Sequence, residues 1–447
     1  MRYAPCAMHH APTGSFMQKD NQFSKVLKID AMRHAPCATR TIPYARQWID
    51  EDDIQAVVEV LRSDWLTTGP KVEEFEQAVA DYVGAKHAVA VSSGTAALHA
   101  AMYAIGIGPG DEVILPPITF VATANAVVFQ GGTPIFADVD PDTLVIDPTE
   151  VEAKITPRTK ALIAVDYAGH PCDYDALQSI ARHHGLFLIA DACHSLGAEY
   201  KGRKTGVLAD LTVFSFHPVK HITTGEGGMI TTDDHALAER MRLFRNHGIT
   251  RNADKFTVYR SPFTDAQRTR PPRLSESDGG QATDNGQRTT PSWYYEMQDL
   301  GFNYRMTDIQ AALGINQLKK IDMFIEKRRE IAGYYNRALK GVEDCITLPP
   351  GDNEKHAWHL YVIQLKRGNR GPVFEKLREN GIGVNVHYIP VYLQPYYQGL
   401  GYEKGICPEA EAYFARAITL PLYPAMKKSD MERVAEKVCG ILREYDD

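Results

Sequence analysis

Lys220 is the residue with the clearest potential for chemistry. It lies in Ser215-Phe-His-Pro-Val-Lys-His221, after the apolar run 211–216 and before a glycine-rich turn at 225–228. An amine just after a buried strand can reach the floor of a cleft, and a lysine neutralised by burial or by imine formation acts as a nucleophile. The alternative is an exposed loop lysine. A Walker A phosphate loop is excluded, because the lysine precedes the glycines and Gly-Lys-Ser/Thr is absent.

Asp191 and His194 follow the apolar run 186–190, which is typical of a buried strand. An ionised carboxylate at a strand end is costly unless it is paired. A pyridinium nitrogen would pair it, and the carboxylate would then keep such a ring an electron sink. Capping of the turn that follows is the alternative role for Asp191. His194 either contacts a phenolate oxygen or is a structural histidine, and the residues alone leave both readings open.

Two further segments suit a planar, phosphorylated ligand. Ser92-Ser-Gly-Thr95 leads from an apolar run into a helical pattern, and a helix N-terminus binds anions such as phosphate. Small residues are also common at such junctions without a ligand. Phe120 follows Pro116-Pro-Ile-Thr, where an aromatic ring either stacks on a planar group or belongs to the core. With Asp191 and Lys220, these segments occur in the order of one known arrangement.

The elements that must position these residues alternate between strands and helices from about residue 55 to 247. Continuous apolar strands separated by helical patterns predict a mostly parallel sheet covered on both faces. Ligands of such sheets bind beyond the carboxyl ends of the strands, and later patterns predict a smaller α+β domain. The predicted strands are 87–91, 113–115, 135–137, 161–165, 186–190, 211–216, 229–232 and 360–365, and the predicted helices are 96–102, 120–129, 174–183, 307–339, 373–380 and 431–444.

The composition narrows the class of protein. The 447 residues include 49 basic and 56 acidic side chains, and the net charge of −7 argues against a nucleic-acid binder, whose surface is usually basic. No apolar run reaches the roughly 20 residues that span a bilayer, and residues 1–40 contain no apolar secretion core. The seven cysteines include no Cys-x-x-Cys pair, so we expect no disulfide framework, no metal site and a cytoplasmic location.

Two segments lack the periodicity of folded elements. Residues 1–41 are predicted to be a disordered N-terminal extension, in which metal binding by histidines and cysteines is an alternative without the usual ligand spacing. Residues 261–291 are rich in polar side chains and are predicted to be a mobile surface insertion, with a partner-binding loop as the alternative. The extension contains a near-repeat, Met1–Ala7 and Met32–Ala38.

The combination resembles the DegT/StrS-type nucleotide-sugar aminotransferases, which depend on pyridoxal 5′-phosphate (PLP). The resemblance extends over about residues 42–442. It implies the α/β fold of fold-type I PLP enzymes, similar to aspartate aminotransferase. A large α/β/α domain (42–305) would surround a mostly parallel sheet, and a linker helix and small C-terminal α+β domain (306–447) would follow. The segments that carry the resemblance are Thr67-Thr-Gly-Pro70, Ser92-Ser-Gly-Thr95, Thr119-Phe-Val-Ala-Thr-Ala-Asn125, Asp191-Ala-Cys-His194, 215–228 and Gly301-Phe-Asn-Tyr-Arg-Met-Thr-Asp308.

The resemblance also implies roles for individual residues. Lys220 would bind PLP through a Schiff base, Asp191 would pair with the ring nitrogen, and His194 would lie near the phenolic oxygen. Asn303 matches a residue that relatives donate from the neighbouring subunit, so a homodimer with shared active sites is implied. The other cofactor positions would be Phe120, which stacks on the ring, and Gly94, Thr95, Ala96 and Ser215, which contact the phosphate.

Within the family, the chain resembles the branch that acts in pseudaminic acid biosynthesis. Such enzymes transfer an amino group from L-glutamate to C4 of a UDP-linked 4-keto-6-deoxy-N-acetylhexosamine. A dehydratase branch has His in place of the lysine, so Lys220 favours transamination. The segments that mark the branch are Ile42-Pro-Tyr44, 215–220, Trp293-Tyr-Tyr295 and Val386-His-Tyr-Ile-Pro390. By the same match, the sugar-nucleotide site would include Tyr44, Asp64, Trp65, Leu66, Thr67, His387 and Tyr388, with Gly94, Ser215 and Asn303.

Three alternatives stand beside this interpretation. An aminotransferase for another nucleotide-linked 4-keto sugar would share the fold and differ in its pocket residues. A non-catalytic PLP-binding regulator would need a DNA-binding or partner-binding module, which neither the N-terminal extension nor the insertion resembles. A purely structural protein would have no use for Lys220, Asp191 and Asn303.

Overall fold

A seven-stranded sheet is the largest element in the computed structural model of the chain, which describes residues 41–257, 293–350 and 356–446. Its strands are β1 (His87–Val91), β2 (Glu112–Leu115), β3 (Thr133–Phe136), β4 (Thr159–Val165), β5 (Phe187–Asp191), β6 (Leu211–Ser215) and β7 (Gly228–Thr232). They lie in the order β1-β7-β6-β5-β4-β2-β3. Only β7 is antiparallel to its neighbours, so the carboxyl ends of the other six strands meet at one edge.

Helices cover both faces of this sheet because its buried side chains alternate between two cores. Along β1, Val89 and Val91 belong to one core, and Ala88 and Ala90 belong to the other. The helices are α1 (Glu51–Leu61), α2 (Pro70–Val83), α3 (Gly94–Ala104), α4 (Ala122–Phe129), α5 (Pro148–Ala153), α6 (Tyr174–His184), α7 (His235–Phe244), α8 (Asp308–Leu318), α9 (Ile321–Ala338), α10 (Arg370–Glu379), α11 (Pro395–Gly399), α12 (Pro408–Arg416) and α13 (Lys428–Asp446).

A smaller antiparallel sheet follows in the C-terminal part of the chain. It consists of β8 (Ile346–Thr347), β9 (Tyr361–Leu365) and β10 (Ala417–Leu420). These strands share a separate core with parts of α9, α10 and α13. Ile42 also packs in this core and bridges to Ile382, so the start of the described chain joins its C-terminal part.

The α/β fold with a mostly parallel sheet is confirmed. The helical run predicted over 307–339 is divided into α8 and α9 by a break at Lys319 and Lys320, and Asp191 ends β5 instead of following it. The part from Thr41 onward forms one compact unit, and the predicted division at residues 305 and 306 stays a prediction. Residues 1–40 and the predicted insertion at 261–291 lie outside the described residues. None of the described helices has the length and apolarity needed to cross a bilayer.

Candidate active site

Lys220 lies in the turn between β6 and β7, at the edge where the parallel strands end. Its main-chain N–H donates to the carbonyl of His217 at 2.9 Å and closes the turn. The side chain is half-buried, and among the described residues its amine has neither a hydrogen bond nor an ion pair. Burial lowers the pKa of the amine, electrostatic interactions with Cys193 and Asp191 raise it, and that with Arg328 lowers it. A desolvated amine of this kind acts as a nucleophile or base.

Asp191 ends the strand next to β6, and its carboxylate is buried. Its Oδ2 accepts a hydrogen bond from the hydroxyl of Thr123 at 2.7 Å, and its Oδ1 accepts one from the N–H of Cys193 at 3.3 Å. In the described part of the chain, no cationic side chain is hydrogen-bonded to it. A buried carboxylate with free lone pairs is costly, and a protonated ring nitrogen would offset that cost.

Thr123 is a site residue to which the sequence analysis assigned no role. It lies in the first turn of α4, is fully buried, and its hydroxyl is 2.7 Å from that of Thr119. The two threonines and Asp191 therefore form a short hydrogen-bonded chain. Thr119 lies in the bend before α4, so the four-residue spacing of the two threonines is not a helical-face signal, and the sequence contains no local sign of this contact.

Gly94, Thr95 and Ala96 form the first turn of α3, whose N-terminus points to the same edge. A Cβ at position 94 would lie 2.9 Å from Cβ of Ser215 and 3.5 Å from Sγ of Cys193, so glycine allows the helix to approach the end of β6 closely. The side chain of Ser93 caps the helix by accepting from the N–H of Ala96 at 3.1 Å. This first turn contains no acidic residue, and the helix dipole therefore favours a bound anion there.

Phe120 follows β2 at the same edge, and 59% of its side chain is exposed. Its ring lies 6.3 Å from the ring of Tyr388, whose hydroxyl is 3.2 Å from Nε2 of His194. The rings of His194 and Tyr388 are nearly parallel, with centroids 6.0 Å apart. An exposed aromatic ring beside a buried imidazole can form one wall of a slot for a planar ring.

His194 is buried, and its Nδ1 has no hydrogen-bond partner in the described structure. Burial lowers the pKa of its imidazole well below the usual value, with a further contribution from Lys220, so the ring is neutral near pH 7. His359 packs against it with ring centroids 4.2 Å apart, and the Nδ1 of His359 also lacks a partner. The sequence analysis did not include His359, because nothing in its local sequence distinguishes it from a core histidine.

One aromatic cluster next to this site contains Tyr44, His387 and Tyr388. The rings of Tyr44 and His387 lie 5.6 Å apart, and those of His387 and Tyr388 lie 4.9 Å apart. His387 bonds through Nδ1 to the hydroxyl of Thr419 at 2.8 Å, which fixes the ring against β10. Of these three residues predicted to line the sugar site, Tyr388 contacts His194 directly, and the other two are linked to it through Tyr388.

The structure does not bring the other predicted residues to Lys220 within one chain. Asn303 is exposed and forms an isolated bridge with Asn246. The segment Asp64–Thr67 is exposed in the loop between α1 and α2. The role of Asn303 in the site of a neighbouring subunit and the role of Asp64–Thr67 in the sugar-nucleotide site both stay predictions.

The residues at this edge fit PLP. They supply one contact for each polar group of PLP and for the face of its ring. The contacts are an unpaired amine, a buried carboxylate without a cation, a neutral imidazole with a free nitrogen, an exposed aromatic ring and a helix end that favours anions. The described residues contain no group of three or more His, Cys, Asp or Glu side chains that could hold a metal ion.

Comparison with known proteins agrees with this geometry. The DegT/DnrJ/EryC1/StrS aminotransferase family matches residues 47–439. The Bacillus subtilis spore coat polysaccharide biosynthesis protein SpsC is 43% identical over 91% of this chain and 98% of its own length.

Two solved structures extend the comparison. Helicobacter pylori PseC, an aminotransferase involved in the biosynthesis of pseudaminic acid, is 32% identical, with a TM-score of 0.79 over 91% of this chain and 100% of its own. Spr1654 from Streptococcus pneumoniae, solved in a PLP form, is 29% identical, with a TM-score of 0.78 over 90% and 99%. The chain therefore belongs to the DegT/DnrJ/EryC1/StrS family and is a PLP-dependent sugar aminotransferase.

Proposed function

We propose that the enzyme transfers an amino group from L-glutamate to C4 of a UDP-linked 4-keto-6-deoxy-N-acetylhexosamine in pseudaminic acid biosynthesis. The product would be UDP-4-amino-4,6-dideoxy-N-acetyl-β-L-altrosamine. The observation that carries the proposal is the aromatic cluster of Tyr44, His387 and Tyr388, which contacts His194 through Tyr388. These residues belong to the segments that mark the pseudaminic acid branch, and the likeness to Helicobacter pylori PseC over nine-tenths of the chain supports the same assignment.

Proton transfer in both half-reactions is assigned to Lys220. When bound, PLP supplies an electron-accepting ring that stabilises negative charge at the carbon next to the amino group. The amine of Lys220 takes the proton from the α-carbon of L-glutamate and, in the second half-reaction, delivers a proton to C4 of the sugar. Burial lowers the pKa of this amine, and among the described residues it has no hydrogen-bonded partner, so the neutral form that acts as a base is favoured.

The other residues of the edge would hold the cofactor in place. Asp191 would accept the hydrogen bond of the protonated ring nitrogen, and the hydroxyl of Thr123, 2.7 Å from Oδ2, fixes the carboxylate for that contact. His194 would donate toward the phenolic oxygen, and Phe120 would cover one face of the ring. The phosphate would be bound by Ser215 and by the first turn of α3, from Gly94 to Ala96, where its charge would interact favourably with the helix dipole.

Two copies of the chain would complete each site. Asn303 is exposed, and Leu300, three residues before it in the chain, is an apolar side chain that a monomer would leave 70% exposed to water. Trp293 is also 69% exposed. A homodimer would bury these side chains and bring Asn303 to the partner's site, together with the exposed segment Asp64–Thr67. We place the reaction in the cytoplasm, the compartment expected from the cysteine pattern.

The proposal is tested on the purified enzyme loaded with PLP. L-Glutamate should bleach the visible absorption of the bound cofactor. After the amino donor has been removed, two C5-epimeric UDP-4-keto-6-deoxy-N-acetylhexosamines are offered separately. Return of the absorption with one epimer supports the proposal and gives the stereochemistry of the substrate. Bleaching without return for either sugar would reject the sugar assignment, and no response to L-glutamate would reject the donor.

A second candidate is amination of a different nucleotide-linked 4-keto sugar for another surface polysaccharide. The observation that favours it is the 43% identity to SpsC, a spore coat polysaccharide biosynthesis protein, over nearly its whole length. Adding dTDP-linked and GDP-linked 4-keto-6-deoxyhexoses to the same panel distinguishes the two. Return of the absorption with one of these sugars and with neither UDP sugar would favour the second candidate.

A further inference from the structure

The side chain of Asp308, which belongs to α8, holds the loop between α1 and α2, residues 62–69. Asp308 is buried at the start of α8, and its Oδ1 accepts a hydrogen bond from the N–H of Gly69 at 2.7 Å. Its Oδ2 accepts from the N–H of Lys71 at 3.3 Å. Asp308 thus caps the N-terminus of α2, which begins at Pro70 and has no capping bond from its own N-cap residue, Gly69.

Helix α1, which leads into the loop, is tied to α8 and to the turn after it. Asp53, in the first turn of α1, is fully buried and accepts hydrogen bonds from Asn316, Gln317 and Lys320, at 2.7 to 2.8 Å. The hydroxyl of Ser63 donates to the carbonyl of Val60 at 2.8 Å and continues α1 into the loop. Residues 64–67, which are exposed, therefore lie between a helix that packs on α8 and the hydrogen bond from Gly69 to Asp308.

The first turn of α8 also contacts the turn that contains Lys220. The side chain of Gln310 donates through Nε2 to the carbonyl of Glu226 at 2.8 Å, and its Oε1 accepts from the N–H of Thr307 at 3.0 Å. One helical turn therefore links the loop 62–69 to the segment that follows the catalytic lysine. A displacement of this turn would change the position of the loop relative to the active sites.

We propose that Asp308 is a positioning residue for the sugar-nucleotide half-reaction, because it holds the loop that carries Asp64–Thr67. The inference rests on the proposed function, in which these residues line the sugar-nucleotide site. Asp308 does not contact Lys220 or Asp191 in the described structure, so it acts through the loop. The half-reaction with L-glutamate should not depend on it.

Gly69 gives independent support for a close fit between the loop and Asp308. A Cβ at position 69 would lie 2.5 Å from Oδ2 of Asp308 and 3.0 Å from Cβ of Trp65, closer than side chains approach one another. The backbone of Gly69 is extended, with φ −129° and ψ −159°, so strain from a left-handed conformation is not the reason for glycine. The Gly69→Ala variant should therefore displace the loop in the same way as loss of the Asp308 carboxylate.

The test uses four variants of the PLP-loaded enzyme: Asp308→Ala, Asp308→Asn, Gly69→Ala and Asp234→Ala. Asp234 is the matched control, because its carboxylate also accepts from two main-chain N–H groups in the first turn of a helix, at 2.7 and 3.1 Å in α7. Hydrogen exchange of the amides in 62–72 measures how firmly the loop is held, without any substrate. Single-turnover kinetics measure the half-reactions with L-glutamate and with the UDP-4-keto sugar separately.

We expect Asp308→Ala and Gly69→Ala to speed exchange in 62–72 and to lower kcat/KM of the sugar half-reaction at least about tenfold. The L-glutamate half-reaction should stay within about twofold of the parent. Asp308→Asn keeps one acceptor oxygen and should lose less, and Asp234→Ala should leave both half-reactions unchanged.

Two results would overturn the inference: unchanged exchange in 62–72 for Asp308→Ala, or equal losses in the two half-reactions. Failure of the proposed function is seen separately, because the parental enzyme would then not react with the UDP sugar at all. In that case the exchange measurement still decides whether Asp308 positions the loop, and the substrate assignment is lost with the function.

Discussion

The amine of Lys220 has no hydrogen bond or ion pair in the described structure, so its removal should affect chemistry and leave stability almost unchanged. We expect Lys220→Ala to lower turnover by about 10³-fold or more, with an unfolding temperature close to that of the parent. Lys376→Ala is the control, since Lys376 is an exposed lysine that pairs only with Glu444 on the surface. Steady-state kinetics and thermal melting measure both effects. Parental turnover in Lys220→Ala would contradict the assignment.

Asp191 can be changed without creating a cavity, because asparagine has the same shape. Asp191→Asn keeps one acceptor oxygen for the N–H of Cys193, and its NH2 group can donate to the hydroxyl of Thr123, so we expect the fold to be retained. Without the negative charge the ring nitrogen is no longer held protonated, and turnover should fall by about 10²-fold. Thr123→Val, which removes only the supporting hydroxyl, should have a smaller effect. Equal losses for the two variants would show that the charge of Asp191 is not what matters.

The residues proposed to hold the cofactor were predictable from the sequence, and those that support them were not. Lys220 and Asp191 each follow an apolar run in the sequence, and the carboxyl ends of parallel strands must share an edge. Thr123 lies 68 residues before Asp191, and His359 comes from the C-terminal part of the chain. No spacing rule joins residues so far apart, because their contact depends on how the layers pack.

Among the elements, the end of β4 is fixed by a buried carboxylate. Asp166 follows β4 and accepts hydrogen bonds from the N–H of Cys172 at 3.0 Å, the hydroxyl of Tyr174 at 2.8 Å and the hydroxyl of Ser195 at 2.5 Å. It thereby joins β4 to the start of α6 and to the segment after β5. Burial raises its pKa to about 6, and the three donors act in the opposite direction.

The raised pKa of Asp166 predicts a pH dependence of stability. An unfolded aspartate has a pKa of about 3.9, so between about pH 4 and 6 the folded state binds more protons than the unfolded state. The contribution of Asp166 to the free energy of unfolding therefore falls as the pH rises through this window and is constant above it. The free energy of unfolding of the parent minus that of Asp166→Asn should be larger at pH 4.5 than at pH 7. We expect this change between the two pH values to be on the order of 1 kcal/mol. Thermal melting of both proteins at the two pH values measures it, and a difference that increases with pH would contradict the assignment.

The alternation of strands and helices predicted the elements of the large sheet well, since apolar runs and 3.6-residue patterns are local signals. One feature escaped it. The apolar run of β7 contains no information about strand direction, and β7 proved antiparallel to β1 and β6.

At the scale of the whole molecule, the exposed apolar side chains beside Asn303 indicate where a second copy would bind. Leu300 and Phe302 flank Asn303 on an exposed segment, and Phe129 and Met297 are also largely exposed. A monomer would leave these side chains in water, whereas a symmetric dimer with its interface here would bury them on both subunits. If Asn303 enters the partner's site as proposed, dimer formation and completion of the active site are the same event.

Shared sites can be detected by mixing two inactive variants. Lys220→Ala retains Asn303 and Asn303→Ala retains Lys220, so a heterodimer of the two has one complete site, built from the lysine of one chain and the asparagine of the other. After unfolding and refolding of an equal mixture, about half of the dimers are heterodimers, and activity per chain should return to about a quarter of the parental value. The separate variants, refolded in the same way, should stay inactive. If each site were built from a single chain, no mixture would recover activity, and the dimer would have to be explained by stability alone.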